Sequence, residues 1–153
     1  MPYKYEDGEL KVISYRYEDI IKIIKDENVK FVNLQFTSLF GRFHSITIPT
    51  HIITLESLYD GFPKLDGSSI KGFTEIQESD LVLRPDPNTF AIIPWYNDKT
   101  ARMICNVYWN GSGHPFPRDP RFIALKSNEI LNEAGFDKTY FGPEVEFFVF
   151  NNV

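Results

Sequence analysis

The run Gly142-Pro143-Glu144-Val145-Glu146-Phe147-Phe148-Val149-Phe150 sets two carboxylates two residues apart inside an otherwise apolar stretch. Aromatic and β-branched residues predict a strand here. Successive side chains of a strand alternate between faces, so Glu144 and Glu146 project from one face and Val145, Phe147 and Val149 from the other. Phe148 and Phe150 continue the carboxylate face, which makes both faces apolar beyond the glutamates and predicts a strand covered on both sides. Unpaired carboxylates in such a place are costly and call for cations. Arginine, lysine or a hard divalent metal would serve, and oxygen donors without a neighbouring histidine or thiolate favour Mg²⁺ or Mn²⁺ over zinc. An edge strand with two solvated glutamates fits the same pattern.

A chain of 153 residues with 42% hydrophobic and 24% charged residues has the composition of a globular protein. It is long enough for one real core but short for two complete domains. The net charge of -5 and the absence of a basic stripe argue against nucleic acid or an anionic membrane as partner. No run reaches transmembrane length. Met1 to Lys11 is polar and acidic and lacks the basic start and apolar stretch of a secretory signal, so a cytoplasmic location is expected. The single cysteine, Cys105, alternates with Met103 and Val107 and reads as a buried, reduced thiol.

After the acidic lead-in, Ile20, Ile21, Ile23 and Ile24 predict an amphipathic helix over Tyr17 to Asn28. Val29 to Phe36 and Phe43 to Ile48 read as a hairpin, and Thr54 to Tyr59 as a short helical turn stopped by Asp60-Gly61. His44, His51 and His114 lack partners at ligand spacing and read as ordinary polar residues. Lys64 to Phe73 shows no regular period and reads as a loop. Within it Asp66, Ser68 and Ser69 place a carboxylate and two hydroxyls close together, either as a plain turn or as a holder for a small cation. Short strands follow at Leu81 to Arg84 and Phe90 to Pro94, then a longer one at Ala101 to Trp109. A Gly- and Pro-rich connector, Asn110 to Arg118, leads to a helix capped by Asp119, carrying Pro120 in its first turn and ending before Gly135. Phe122, Ile123, Ile130 and Leu131 suit its buried side.

The fold class expected is therefore α+β, a mixed sheet with a packed helix over residues 1–116, followed by the start of a second unit over residues 117–153. A strand covered on both faces at the end of the chain needs neighbours that the sequence does not supply. The expectation is that the remainder is missing or that another chain completes the sheet.

Two signatures together resemble a known family. Asp66-Gly67-Ser68-Ser69-Ile70 with Gly72-Phe73 and Glu78-Ser79-Asp80, and then Gly142 to Phe148, are similar in order and spacing to the N-terminal region of type I glutamine synthetases. Pro85-Asp86, Phe90 to Trp95, Ile104-Cys105 and Asp119-Pro120-Arg121 agree as well, so the resemblance covers about residues 14–150. It implies a β-grasp domain followed by the first helix and strand of a catalytic domain. It also implies ATP-dependent ligation of ammonia to the γ-carboxylate of glutamate through γ-glutamyl phosphate. By the same resemblance Glu144 and Glu146 ligate different divalent metals, Mg²⁺ or Mn²⁺, in a multi-metal site, Asp66 binds ammonium and helps remove its proton, and Ser69 supports Asp66. ATP is a co-substrate, and the enzyme is a homo-oligomer whose sites are shared between adjacent subunits. Phe73 stands where some members have tryptophan, and Val145 where proline is frequent. The remaining metal ligands, the ATP pocket and the substrate-binding arginines are not in this stretch, so the fragment is not expected to be active alone. A non-catalytic β-grasp assembly module, or part of a related γ-glutamyl-amine ligase, are the alternatives.

Overall fold

The computed structural model describes residues 3–75 and 79–152. Glu78, named in the first signature, lies outside the described residues. The chain opens with a hairpin, β1 (Tyr3–Glu6) and β2 (Glu9–Val12), where the lead-in promised no element. Asp7 and Gly8 turn it with φ of 54° and 82°. Two consecutive left-handed residues are what a two-residue hairpin turn of the I′ type requires, and Asp-Gly is a preferred pair for it.

Helix α1 (Tyr17–Asp26) follows, with Ile20 and Ile24 buried as its apolar stripe predicts. Its first turn is tied by Asp19, whose Oδ2 accepts the Arg16 N–H at 2.8 Å. Strands β3 (Phe31–Thr37) and β4 (Phe43–Pro49) form the predicted hairpin in antiparallel register, from Phe31 opposite Pro49 to Thr37 opposite Phe43. Helix α2 (Leu55–Asp60) is the predicted short turn, capped by Thr54, whose hydroxyl accepts the Ser57 N–H at 3.1 Å. Tyr17 and Tyr59 meet edge to face at 4.7 Å and join the two helices.

The next segment departs from the reading of Lys64 to Phe73 as loop throughout. Lys64 to Asp66 end an edge strand, β5 (Phe62–Asp66), and Gly67–Ser69 make a 3-10 turn. Strands β6 (Asp80–Pro85), β7 (Ala91–Ile93) and β8 (Thr100–Trp109) complete the sheet. Its order is β4-β3-β8-β6-β5, with β7 also on β8. The central strand, β8, is parallel to β3 along one edge. Along its other edge it is antiparallel first to β7 and then to β6.

Between those two partners the chain leaves the sheet at Asp86 to Phe90, which would orphan one stretch of β8. Side chain and backbone fill the gap: the Ile104 N–H donates to Thr89 Oγ1 at 2.7 Å, and the Ile104 carbonyl accepts the Asp86 N–H at 2.8 Å. Every buried backbone group needs such a partner.

Strand β8 shows strict alternation. Ala101, Met103, Cys105 and Val107 are fully buried, in one core with Ile20, Val32, Leu34, Phe36, Leu58, Leu81 and Leu83, while Arg102, Ile104, Asn106 and Tyr108 on the opposite face are half-buried. Cys105 is thus the buried thiol predicted, and burial raises its pKa. The arrangement is α+β, the mixed sheet with a packed helix expected of a β-grasp.

Helix α3 (Pro120–Glu133) starts at the Asp119 cap as predicted. Its apolar side is not buried: Ile123 and Ile130 are exposed, Phe122 and Leu131 half-covered, because only the first turn of α3 meets the sheet. That end is firmly tied. The Asp119 carboxylate, 1% exposed, accepts the Val107 N–H at 2.9 Å and the Arg121 N–H at 3.0 Å. Arg121 in turn bonds Asn106 Oδ1 at 2.9 Å and pairs with Asp86.

Candidate functional site

The Asp66 loop is built by three constraints. Asp66 ends β5 opposite Asp80 of β6, and the next residue donates its N–H to the Ser79 carbonyl at 2.7 Å. That next residue must be glycine. A Cβ on Gly67 would stand 2.6 Å from Thr74 Oγ1 and 2.8 Å from Leu81 Cδ1, closer than side-chain atoms approach. At the far end Phe73 is buried against Phe36 and Phe116, at ring distances of 6.2 and 5.0 Å, and its N–H donates to the Ile70 carbonyl at 3.0 Å.

Between these anchors the Asp66 carboxylate is exposed yet held. Oδ1 accepts the Ser68 N–H at 3.0 Å and the Ser68 hydroxyl at 2.7 Å, while Oδ2 accepts the Ser69 hydroxyl at 3.1 Å. These donors favour the charged form, Ser68 Oγ–H foremost, then Ser68 N–H, then Ser69, and they lower the Asp66 pKa below the ordinary carboxylate value. The group is a fixed anion at neutral pH. The Ser69 N–H acts on the carboxylate as well, and as an exposed group the carboxylate stays open to an incoming donor from solvent. Asp66 and Ser69 line an open cleft of about 250 Å³ with His44, Ser45, Lys64 and Ile70. The structure thus brings Asp66 and Ser69 together. Ser68, which the sequence groups with Asp66 and Ser69 but to which the resemblance gives no role, is the stronger partner; the Asp-x-Ser spacing of an Asx turn is the signal for it.

Glu144 and Glu146 are not brought into this site. The predicted strand at Gly142 to Phe150 is absent: the segment has no regular structure and pairs with neither sheet edge. Both carboxylates are exposed and make no hydrogen bond or ion pair among the described residues. The physical reason is that a strand needs a ladder partner, and none of the described strands supplies one to this segment.

Among the described residues no group of three or more His, Cys, Asp and Glu could hold a metal ion, and no helix is long and apolar enough to cross a membrane.

Residues 28–110 match the family described as glutamine synthetase, beta-Grasp domain. The chain is 48% identical to a glutamine synthetase of Sulfolobus acidocaldarius over 135 residues, which is 88% of this chain and 28% of that protein. It is 44% identical to one of Thermus thermophilus over 143 residues, 90% of this chain and 31% of that protein. It therefore spans less than a third of the length of these relatives. Among solved structures it resembles a Plasmodium falciparum glutamine synthetase with a TM-score of 0.72 and 25% identity, over 82% of this chain and 24% of that one. The likeness in fold and a family match over more than half of the residues agree: the chain belongs to the glutamine synthetase β-grasp family.

Proposed function

We propose that the chain acts as the N-terminal part of a glutamate–ammonia ligase, which joins ammonia to the γ-carboxylate of glutamate at the expense of ATP. The observation that carries this reading is the exposed Asp66 carboxylate, held anionic by donors from Ser68 and Ser69, at the position that by resemblance is the family's loop aspartate. Ammonium is small, cationic and all donor, which matches an exposed and fixed anion. Asp66 takes up the cation and concentrates negative charge where its proton must leave, and Ser69 keeps the carboxylate oriented.

Glu144 and Glu146 suit Mg²⁺ or Mn²⁺, because they are hard oxygen donors with no partner among the described residues. Each would bind a different cation of a multi-metal site and fill only part of its coordination, so other protein groups, water and phosphate complete it. Bound metal would neutralise phosphate charge and polarise the transferred group. In this reading residues 1–116 form the β-grasp unit and residues 117–153 open the catalytic unit. The assembly is a cytoplasmic homo-oligomer in which the Asp66 loop of one subunit serves its neighbour's site.

The test is Asp66→Ala in the active assembly. Glutamine formation should fall about 10²-fold or more, the usual worth of a positioned general base. Glutamate-dependent phosphoryl transfer from ATP should persist. Equal loss of both partial reactions would remove Asp66 from ammonia chemistry.

A further inference from the structure

Asp66 sits at one end of its loop, and the other end is fastened by a residue from a different part of the chain. Arg118 lies in the connector between β8 and α3. Its Nη1 donates to the Gly72 carbonyl at 3.1 Å and to the Phe73 carbonyl at 2.6 Å. These carbonyls belong to the last turn of the loop, beyond the sheet ladder. The guanidinium is a charged donor, and hydrogen bonds from a charged donor are stronger than those between neutral groups.

The arginine is itself held from both sides. Two residues earlier, Phe116 is buried against Phe73 and against Trp109, at ring distances of 5.0 and 4.9 Å, and its N–H donates to the Val107 carbonyl at 2.8 Å. One residue later, the buried Asp119 carboxylate accepts the Val107 N–H from the same strand residue. Phe116 and Asp119 therefore fix the segment around Arg118 to β8, and Arg118 carries that rigidity to the loop.

We propose that Arg118 is a positioning residue for Asp66, a staple from the connector that holds the loop in the shape in which Ser68 and Ser69 face the carboxylate. The inference rests on the assignment of Asp66 to ammonium. It adds a residue that acts on the loop backbone and not on the carboxylate. Without the staple the turn around Gly72 loses its outer support, and the Asp66 oxygens lose their fixed direction while the core stays packed.

Hydrogen exchange on the full chain tests the positioning apart from the reaction. In Arg118→Ala the amides of Ser68, bonded to Asp66, and of Phe73, bonded to Ile70, should exchange about tenfold faster or more. The Val107 amide should be unchanged, since its bond to Asp119 lies in the core. Arg118→Lys should restore most of the protection, because one ammonium can serve both carbonyls as one Nη1 does. In the active assembly Arg118→Ala should raise the KM for ammonium several-fold and leave the KM for glutamate within twofold. Exchange that quickens equally at Val107 would mark a general loss of stability and overturn the proposal, as would unchanged exchange at Ser68 and Phe73. Quickened loop exchange with an unchanged ammonium KM would overturn the link to Asp66. If Asp66→Ala itself spares ammonium use, the functional reading fails instead, and the exchange result still decides whether Arg118 holds the loop.

Discussion

Gly67→Ala is the sharpest test of how the Asp66 loop is built. One added methyl would stand 2.6 Å from Thr74 Oγ1, 2.8 Å from Leu81 Cδ1 and 3.2 Å from the Ser79 carbonyl oxygen. Comfortable carbon contacts lie at about 3.5–4.0 Å, so Leu81 would have to retreat by roughly 0.7–1.2 Å. The Thr74 hydroxyl can rotate away at small cost. Leu81 cannot, because it is fully buried on β6 among the core side chains. Forcing an extra methyl into such packing costs about 1–3 kcal/mol, and lengthening the bond from the Gly67 N–H to Ser79 adds about 1 kcal/mol. The reduced freedom of the unfolded chain gives back about 0.4–1 kcal/mol, leaving a loss of about 2 kcal/mol. Urea unfolding followed by circular dichroism should show a lower midpoint with an unchanged slope. Gly142→Ala is the control, since its added methyl meets nothing within 4 Å and should leave the midpoint in place. If Gly67→Ala unfolds within about 0.5 kcal/mol of the parent, the close approach of β6 to the loop is not a constraint and the reasoning fails.

Two further outcomes follow from buried groups. Asp119→Ala leaves the Val107 N–H without a partner and uncaps α3, for a loss of about 2–4 kcal/mol by urea titration. Burial raises the Asp119 pKa from 3.8, so the cost of its charge is absent below that value and sets in as pH climbs through the folded one. The gap between parent and variant should therefore narrow as pH rises through that window, and a gap that widens would contradict the assignment. Cys105, fully buried and raised in pKa, should react with a thiolate-directed disulfide reagent about 10³-fold more slowly in the native chain than in urea. Complete labelling within minutes under native conditions would show that the β8 face is open.

Where structure is set locally, it can be read from the sequence. The stripe of Ile20 and Ile24, the β3–β4 hairpin and the alternation of Met103, Cys105 and Val107 each repeat a period that burial then follows. The β1–β2 hairpin was legible too, through Asp7-Gly8, but the polar run around the turn masked it. Strand β5 was hidden by Pro63, which cannot donate to a ladder and is tolerated because β5 is an edge. The exposed side of α3 shows the limit of periodicity, which marks a face fit for burial without naming what covers it.

The same distinction separates the two parts of the candidate site. Asp66 is organised by bonds to residues two and three positions away, so its geometry is complete once the loop closes on Gly67 and Phe73. Glu144 and Glu146 depend on a ladder. Only a paired strand holds residues two apart on one face, and here Val145, Phe147, Phe148, Val149 and Phe150 are between 70% and 88% exposed. Burying five such side chains is worth roughly 1.5–3 kcal/mol each, or about 7–15 kcal/mol together. Part of that is offset by the entropy of fixing the backbone. Strand formation on a partner sheet would align the two carboxylates in the same step that covers the aromatic rings. In the proposed ligase the metal-binding half of the site is therefore assembled by packing, whereas the ammonium half is built into one loop and held there by the connector that follows β8.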